Sequence, residues 1–143
     1  MKPTLKPGLK HSFSYKVPEN KTVPYTYPES DIIANMPKVF ATGFMIVLME
    51  WVCTQLLAPH LDGGEGSVGT HVDVSHSAAT LPGQTVTVDV ELAEVQGRKL
   101  VFGVRAHDGI DLIGEGRHER VIVNWDRFNA KVAEKARAAE LVS

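Results

Sequence analysis

Cysteine is almost absent from this sequence, and its scarcity excludes several classes of protein. Cys53 is the only cysteine among 143 residues. A disulfide framework within the chain and the paired cysteines of a zinc site both need more thiols than this chain has. A reducing, cytoplasmic location is therefore expected, and the sequence implies no metal or redox cofactor.

The chain also lacks a strong charge of either sign. Its formal net charge is −2 and its isoelectric point is about 6.3. Nucleic-acid-binding domains normally carry a basic patch or stripe, so that function is not expected. The first 17 residues contain no apolar run, so no secretory signal is predicted. Nothing divides the chain, and a single domain over residues 1–143 is expected.

One long apolar run extends from Val39 to Ala58, and Glu50 is its only charged residue. About 20 apolar residues can span a bilayer. An acidic group near the centre of such a span is costly, whereas a helix buried in a soluble protein has the same composition. We therefore expect a core helix and no membrane association. Because an isolated carboxylate is expensive to remove from water, Glu50 should be paired, protonated or part of a reaction site.

The hydrophobic periodicity predicts an α+β domain. A short helix is expected to begin near Ser30, and the long helix to run from Pro37 to Ala58. Strands are predicted over His11–Val17, Val68–Ala78, Gln84–Val95, Lys99–His107 and Asp111–Trp125, and a last helix over Phe128–Leu141. The strands after the long helix are expected to form an antiparallel meander of about four. One such sheet covers only part of an apolar helix, so a second subunit is expected to cover the rest.

Three side chains in this pattern point to acid–base chemistry. Thr42 lies about two helical turns before Glu50, so both can point into one cleft. In isolation, a threonine in an apolar helix more often bonds to its own backbone at i−4. His76 continues the expected inward strand face of Val72 and Val74, where a lone histidine is more often a core residue. A pairing of Glu50 with His76 would fix the imidazole tautomer and raise its basicity.

Two further features are compatible with a binding site. The segment Gly63–Thr70 is rich in glycine but lacks the Lys-Ser/Thr ending of a phosphate loop, so a flexible loop is its plain interpretation. Its functional interpretation is that Gly69 lets a ligand approach backbone N–H groups closely. In the last strand His118 and Arg120 share a face, and an arginine there can pair with Glu50 or with an anionic substrate.

Several short runs occur together in one order: Phe40–Met45, Leu48–Trp51, Gly64–Thr70, His76–Thr80, Ala106–Gly109, His118–Arg120 and Phe128–Lys131. In these runs the chain resembles the fluoroacetyl-CoA thioesterase family. The resemblance implies the hot-dog fold, a long helix wrapped by an antiparallel sheet, usually in a homodimer with active sites between the subunits. It also implies a Thr–Glu–His constellation at Thr42, Glu50 and His76. Gly69 falls where the family contacts the thioester, and Arg120 falls near the site.

The chain departs from the family in the lid-like segment before the long helix. Members selective for fluoroacetyl-CoA carry phenylalanines where this chain has Ile33 and Met36. The resemblance therefore implies hydrolysis of a small acyl-CoA thioester, with weaker selectivity for the fluorinated acyl group. Glu50 would attack the thioester or hold the base and water in place. A backbone N–H of Gly69 or Thr70 would stabilise the oxyanion.

Two other functions are compatible with the same fold and the same coenzyme A. A hot-dog dehydratase or isomerase would use His76 as its base on enoyl- or hydroxyacyl-thioesters, and it would release no free thiol. A non-enzymatic acyl-CoA-binding module would bind the thioester without converting it. Release of free thiol therefore separates thioester hydrolysis from both alternatives.

Overall fold

The long apolar run folds as a helix that lies against one face of an antiparallel sheet. The molecule is described by a computed structural model over residues 1–141, so the last two residues of the expected domain lie outside the described part. The elements, in chain order, are β1 Lys10–Lys16, α1 Asp31–Ala34, α2 Thr42–Leu57, β2 Glu65–Val74, β3 Thr85–Gln96, β4 Lys99–His107, β5 Leu112–Asn124 and α3 Trp125–Ala138. Short 3-10 turns lie at Glu19–Lys21, Val23–Tyr25 and Ala58–His60.

The five strands form one sheet in the order β1-β3-β4-β5-β2. Antiparallel hairpins join β3, β4 and β5, as the alternating sequence predicted. The predicted meander of four strands is wrong at β2, which pairs with β5 at the far side of the sheet. Periodicity identifies strands without fixing their neighbours, so this order could not be obtained from it. Within residues 1–141, β2 pairs with β5 alone and its other side is a sheet edge.

The sequence predicts that the long helix begins at Pro37, but α2 begins at Thr42. The backbone before it is extended because its hydrogen bonds go elsewhere. Phe40 donates its N–H to the Thr80 carbonyl at 2.8 Å and forms an isolated antiparallel bridge with Thr22. The hydrogen bond to Thr80 connects the start of α2 to the segment that follows β2, and the bridge connects it to the segment that follows β1.

One face of α2 enters the core. Its buried residues are Met45, Leu48, Met49, Val52, Cys53, Leu56 and Leu57. They pack on the inward-facing side chains of the sheet, which include Val86, Val88, Val90, Leu92, Leu100 and Phe102. The opposite face of α2 is also apolar, yet Val47 is 58% exposed and Trp51 is 46% exposed. The sheet therefore covers only part of the helix. By length and composition alone, Thr42–His60 would be long and apolar enough to span a membrane.

The strand that precedes His76 ends earlier than predicted. β2 stops at Val74, and its register with β5 shifts between Gly69 and His71. His76 is half-buried and lies in the irregular segment after the strand. Burial nevertheless continues to alternate beyond the end of the strand, with the half-buried His76 between the exposed Ser75 and Ser77, so His76 faces inward as predicted.

Candidate active site

Two polar clusters lie along α2, one at its first turn and one two turns further on. Thr42 and His76 form the first, the hydroxyl–imidazole pair. Glu50 and Arg120 form the centre of the second, the carboxylate cluster. Since the helix rises about 1.5 Å per residue, Thr42 and Glu50 are about 12 Å apart along its axis.

In the hydroxyl–imidazole pair, Thr42 Oγ1 lies 2.7 Å from His76 Nδ1. Thr42 is the first residue of α2, and its hydroxyl bonds to the imidazole and not to a carbonyl of its own helix. The alternative of a threonine bonded back to i−4 therefore does not apply. A hydroxyl in contact with an imidazole nitrogen is the arrangement by which a base activates a hydroxyl or a water.

The backbone around His76 is held against β5. Ser75 and Ser77, on either side of it, donate their N–H groups to carbonyls of β5 at 2.9 Å and 2.7 Å. A Cβ atom at Gly114 would lie only 2.4 Å from the Ser75 carbonyl oxygen. Glycine at position 114 therefore permits the close approach of the two backbones that positions the imidazole.

Burial sets the protonation state of His76. Desolvation lowers the pKa of its imidazole below the ordinary value of 6.5, which favours the neutral, basic form at neutral pH. Its Nε2 atom is buried and has no hydrogen-bond partner among residues 1–141. A buried polar atom without a partner costs about 1–3 kcal/mol, so this nitrogen is suited to a ligand or partner that completes the site.

In the carboxylate cluster, Arg120 Nη1 donates to Glu50 Oε2 at 3.0 Å. The Arg120 side chain is 6% exposed, whereas that of Glu50 is 33% exposed. The charged residue of the apolar run is therefore paired, and its carboxylate still reaches solvent. Glu50 Oε1 accepts no hydrogen bond from the described residues and is the oxygen open to a ligand.

Ser67 and His118 hold the Arg120 guanidinium in place. Arg120 Nε donates to Ser67 Oγ at 2.8 Å, and Nη2 donates to the Ser67 carbonyl at 3.0 Å. His118 Nε2 lies 3.1 Å from Arg120 Nη1. The sequence correctly placed His118 and Arg120 on one strand face, but it assigned His118 no role. Nothing in the sequence marked Ser67, which lies in the glycine-rich run.

Gly69 lies beside this cluster, opposite Arg120 in the pairing of β2 with β5. A Cβ atom at this position would lie 3.1 Å from Glu50 Oε2 and 3.2 Å from His118 Cε1. The missing side chain therefore leaves the backbone of Gly69 against the carboxylate. Thr70 is the extra residue of the bulge, and its hydroxyl donates outward to the Glu119 carbonyl at 3.2 Å.

The residues of the expected lid, Ile33 and Met36, lie on and just after α1. The Ser30 hydroxyl accepts from the Ile33 N–H at 3.2 Å and caps this short helix, as predicted from Ser30. Ile33 is half-buried and Met36 is exposed. The main contact of α1 is with the 3-10 turn Val23–Tyr25.

The protomer does not join its two clusters. Glu50 bonds to Arg120 and His76 bonds to Thr42, and no hydrogen bond among residues 1–141 connects Glu50 with His76. Cys53, one helical turn from Glu50, is buried, and desolvation raises the pKa of its thiol to about 12. No group of three or more potential metal-binding side chains occurs in the described part of the chain.

Comparisons with known proteins agree with this fold. The family model described as fluoroacetyl-CoA-specific thioesterase (FlK) matches residues 18–126. The fluoroacetyl-CoA thioesterase of Streptantibioticus cattleyicolor is 51% identical over 138 residues, which cover 96% of this chain and 99% of that protein. A solved structure of a variant of the thioesterase FlK with fluoroacetate has 51% identity and a TM-score of 0.89, covering 92% of this chain and 98% of the other. A Thermus thermophilus thioesterase superfamily member has 28% identity and a TM-score of 0.86, covering 98% and 99%.

Proposed function

The chain belongs to the fluoroacetyl-CoA-specific thioesterase family, and we propose that it hydrolyses the thioester of a small acyl-coenzyme A to free acid and coenzyme A. The observation that carries the proposal is the presence of two clusters on one helix of a hot-dog fold. One is a half-buried base in contact with a hydroxyl, and the other is an arginine-bound carboxylate beside a glycine backbone. The free, buried thiol of Cys53 supports a cytoplasmic location.

His76 acts as the general base. Its neutral imidazole takes a proton from a water that Thr42 orients, because the Thr42 hydroxyl already contacts Nδ1. The water attacks the acyl carbon and the carbon–sulfur bond breaks. The imidazolium returns the proton to the leaving thiolate, and coenzyme A departs as the free thiol. General-base catalysis of this kind contributes about 10²–10⁴-fold.

Glu50 acts through Oε1, the oxygen that Arg120 leaves free. That oxygen either attacks the thioester carbonyl, which expels the coenzyme A thiolate and leaves an acyl–Glu50 anhydride that water then hydrolyses, or it holds the attacking water. The backbone N–H of Gly69 donates to the carbonyl oxygen of the thioester. One such donor to the oxyanion is worth about 3–4 kcal/mol. An acid-quenched single turnover with His76→Ala separates the two roles: acyl mass on the peptide containing Glu50 identifies a nucleophile, and unmodified peptide identifies a water-positioning group.

The active site is completed by a second copy of the chain. About 12 Å separates Thr42 from Glu50, which is too far for one small acyl group to contact both within a protomer. The exposed edge of β2 and the apolar, exposed face of α2 support a homodimer. Antiparallel pairing of two β2 strands would set the end of one, which leads to His76, beside the first half of the other, which contains Gly69. One site then contains a carboxylate cluster from one protomer and a hydroxyl–imidazole pair from its partner.

The decisive experiment measures release of free thiol from a panel of short acyl-CoAs. The wild-type protein should release coenzyme A, and Glu50→Gln and His76→Ala should each lower kcat by about 10²–10⁴-fold while the dimer stays folded. Turnover of enoyl- or hydroxyacyl-thioesters without thiol release would instead indicate a dehydratase or isomerase. Binding without any conversion would indicate an acyl-CoA-binding module. Near-normal turnover in both variants would remove the residue assignment.

A further inference from the structure

His118 is a buried side chain in the carboxylate cluster with contacts on both ring nitrogens. It is 2% exposed and lies on β5, two residues before Arg120. Its Nε2 contacts Arg120 Nη1 at 3.1 Å, and its Nδ1 contacts the His71 carbonyl oxygen at 2.8 Å. The imidazole therefore connects the guanidinium that binds Glu50 to the backbone of the bulge in β2.

The two partners of His118 determine its tautomer. A guanidinium has only donors, so Nε2 must accept the hydrogen bond from Arg120. A carbonyl oxygen has no hydrogen, so Nδ1 must carry the proton and donate it to His71. The ring is therefore neutral and protonated on Nδ1. Desolvation lowers the pKa of His118, in agreement with the neutral form.

The acceptor on His118 decides where the arginine points. Arg120 Nη1 has two hydrogens, and the structure divides them between Glu50 Oε2 and His118 Nε2. Ser67 occupies the opposite side of the guanidinium through Nε and Nη2. Because Ser67 and His118 hold the guanidinium on two sides, the orientation of its plane is fixed. The position of Glu50 Oε2, which Arg120 binds, is therefore fixed as well.

His118 also holds the backbone next to Gly69. The register of β2 shifts between Gly69 and His71, and this bulge is where the His71 carbonyl receives its bond from His118. The Cε1 atom of His118 is itself 3.2 Å from the Cβ position of Gly69. The imidazole of His118 thus contacts Arg120, which binds Glu50, and the backbone of His71, which lies next to the Gly69 segment.

From these contacts we propose that His118 is a positioning residue. It orients the Glu50 carboxylate through Arg120 and holds the Gly69 backbone through the bulge in β2, so that the distance between the two groups is fixed. The inference rests on the proposed thioester hydrolysis, in which those two groups act on the acyl carbonyl. His118 contacts no substrate atom and transfers no proton in this scheme.

Two substitutions separate the contacts of the ring. In His118→Gln the amide oxygen is as many bonds from Cβ as Nε2 and can accept from Arg120, whereas the donor to His71 is lost. In His118→Asn the amide nitrogen matches Nδ1 and keeps the donor to His71, whereas the acceptor is lost. We expect Gln to retain kcat within about threefold and Asn to lower it about tenfold, with KM changed less than twofold in both. A greater loss in Gln, or losses in proportion to the fall in Tm, would overturn the proposal.

A measurement on the wild-type protein does not depend on activity. Nitrogen-15 NMR of the histidine side chains at pH 7 should show His118 neutral, protonated on Nδ1 and unprotonated on Nε2. A cationic ring, or a proton on Nε2, would overturn the proposal even if the protein hydrolyses thioesters. Conversely, absence of thiol release with the expected tautomer would refute the proposed function and leave the arrangement of Arg120 and Glu50 intact.

Discussion

The two clusters on α2 differ in how many of their polar side-chain atoms have hydrogen-bond partners within the chain. In the carboxylate cluster, Arg120 makes four hydrogen bonds, to Ser67, His118 and Glu50. The hydroxyl–imidazole pair has a single hydrogen bond between side chains, and His76 Nε2 has no partner among residues 1–141. The cluster in the middle of the helix is fixed within the chain, whereas the pair at its first turn is left incomplete.

This difference has a physical reason. The buried charge is that of Arg120, which must be neutralised when the chain folds, so the guanidinium needs Glu50 before any substrate arrives. A neutral imidazole can remain partly unsatisfied at a cost of only about 1–3 kcal/mol. The pair that performs proton transfer therefore tolerates an open position, and the guanidinium does not.

The largest difference is expected in stability. Arg120→Met removes all the hydrogen bonds of the guanidinium and the counterion of the partly exposed Glu50, so urea denaturation should show a loss of about 2–3 kcal/mol. Thr42→Val removes one half-exposed hydrogen bond and should cost about 1 kcal/mol or less. Adding Glu50→Gln to Arg120→Met should recover part of the stability without activity. Equal losses in the two single variants would contradict the comparison.

The pH dependence of activity should report the hydroxyl–imidazole pair. Since burial lowers the pKa of His76 below 6.5, kcat/KM should stay level from pH 7 to below 6.5 and fall about tenfold per unit under the folded pKa. Stability contributed by the neutral ring should likewise be lost as pH falls below about 6.5, because the unfolded state takes up the proton first. His118→Gln should leave the midpoint of kcat/KM unchanged. A midpoint above 6.5 would contradict the assignment.

A smaller effect is expected from crowding the carboxylate. Gly69→Ala places a Cβ 3.1 Å from Glu50 Oε2, so the carboxylate must shift by a few tenths of an ångström. We expect kcat to fall about threefold to tenfold with little change in Tm. The matched control is Gly103→Ala, another strand glycine with no atom near its Cβ position. Similar kcat values for the two variants would show that Gly69 has no special contact with Glu50.

The smallest effect concerns the acyl group. Ile33 and Met36 are apolar but more adaptable in shape than phenylalanines, so the wild-type protein should prefer fluoroacetyl-CoA over acetyl-CoA only weakly. Introducing Ile33→Phe with Met36→Phe should raise the ratio of kcat/KM values about twofold to threefold. A very large ratio in the wild-type protein would show that selectivity does not depend on these two positions.

Much of the fold could be predicted from local sequence. The strands and helices appear because their alternation and apolar runs are strong, and β4 was predicted to its exact bounds. The start of α2 and the end of β2 were missed, since both are set by tertiary bonds such as that from Phe40 to Thr80. The placement of β2 beside β5 was missed because strand order is a property of the whole sheet.

The candidate site was predictable in its residue types but not in its pairing. The shared face of His118 and Arg120 is visible in the sequence and is confirmed, since both side chains are buried. The carboxylate of Glu50 is paired, as one of the expected alternatives had it, but a third of its side chain is exposed. That Glu50 bonds to Arg120 and not to His76 depends on where β5 lies relative to α2. Ser67 contributes a hydroxyl and a carbonyl that no sequence pattern distinguishes from those of a loop.

Complementation between inactive subunits tests the joining of the two clusters most directly. Glu50→Gln and His76→Ala chains carrying different affinity tags are co-expressed, and dimers that contain one of each are isolated. If each site combines clusters from two protomers, one site of this dimer is intact and the other carries both substitutions. Thiol release should then return to roughly half of the wild-type rate. Activity no higher than that of the single variants, or failure of the two chains to co-purify, would contradict the account.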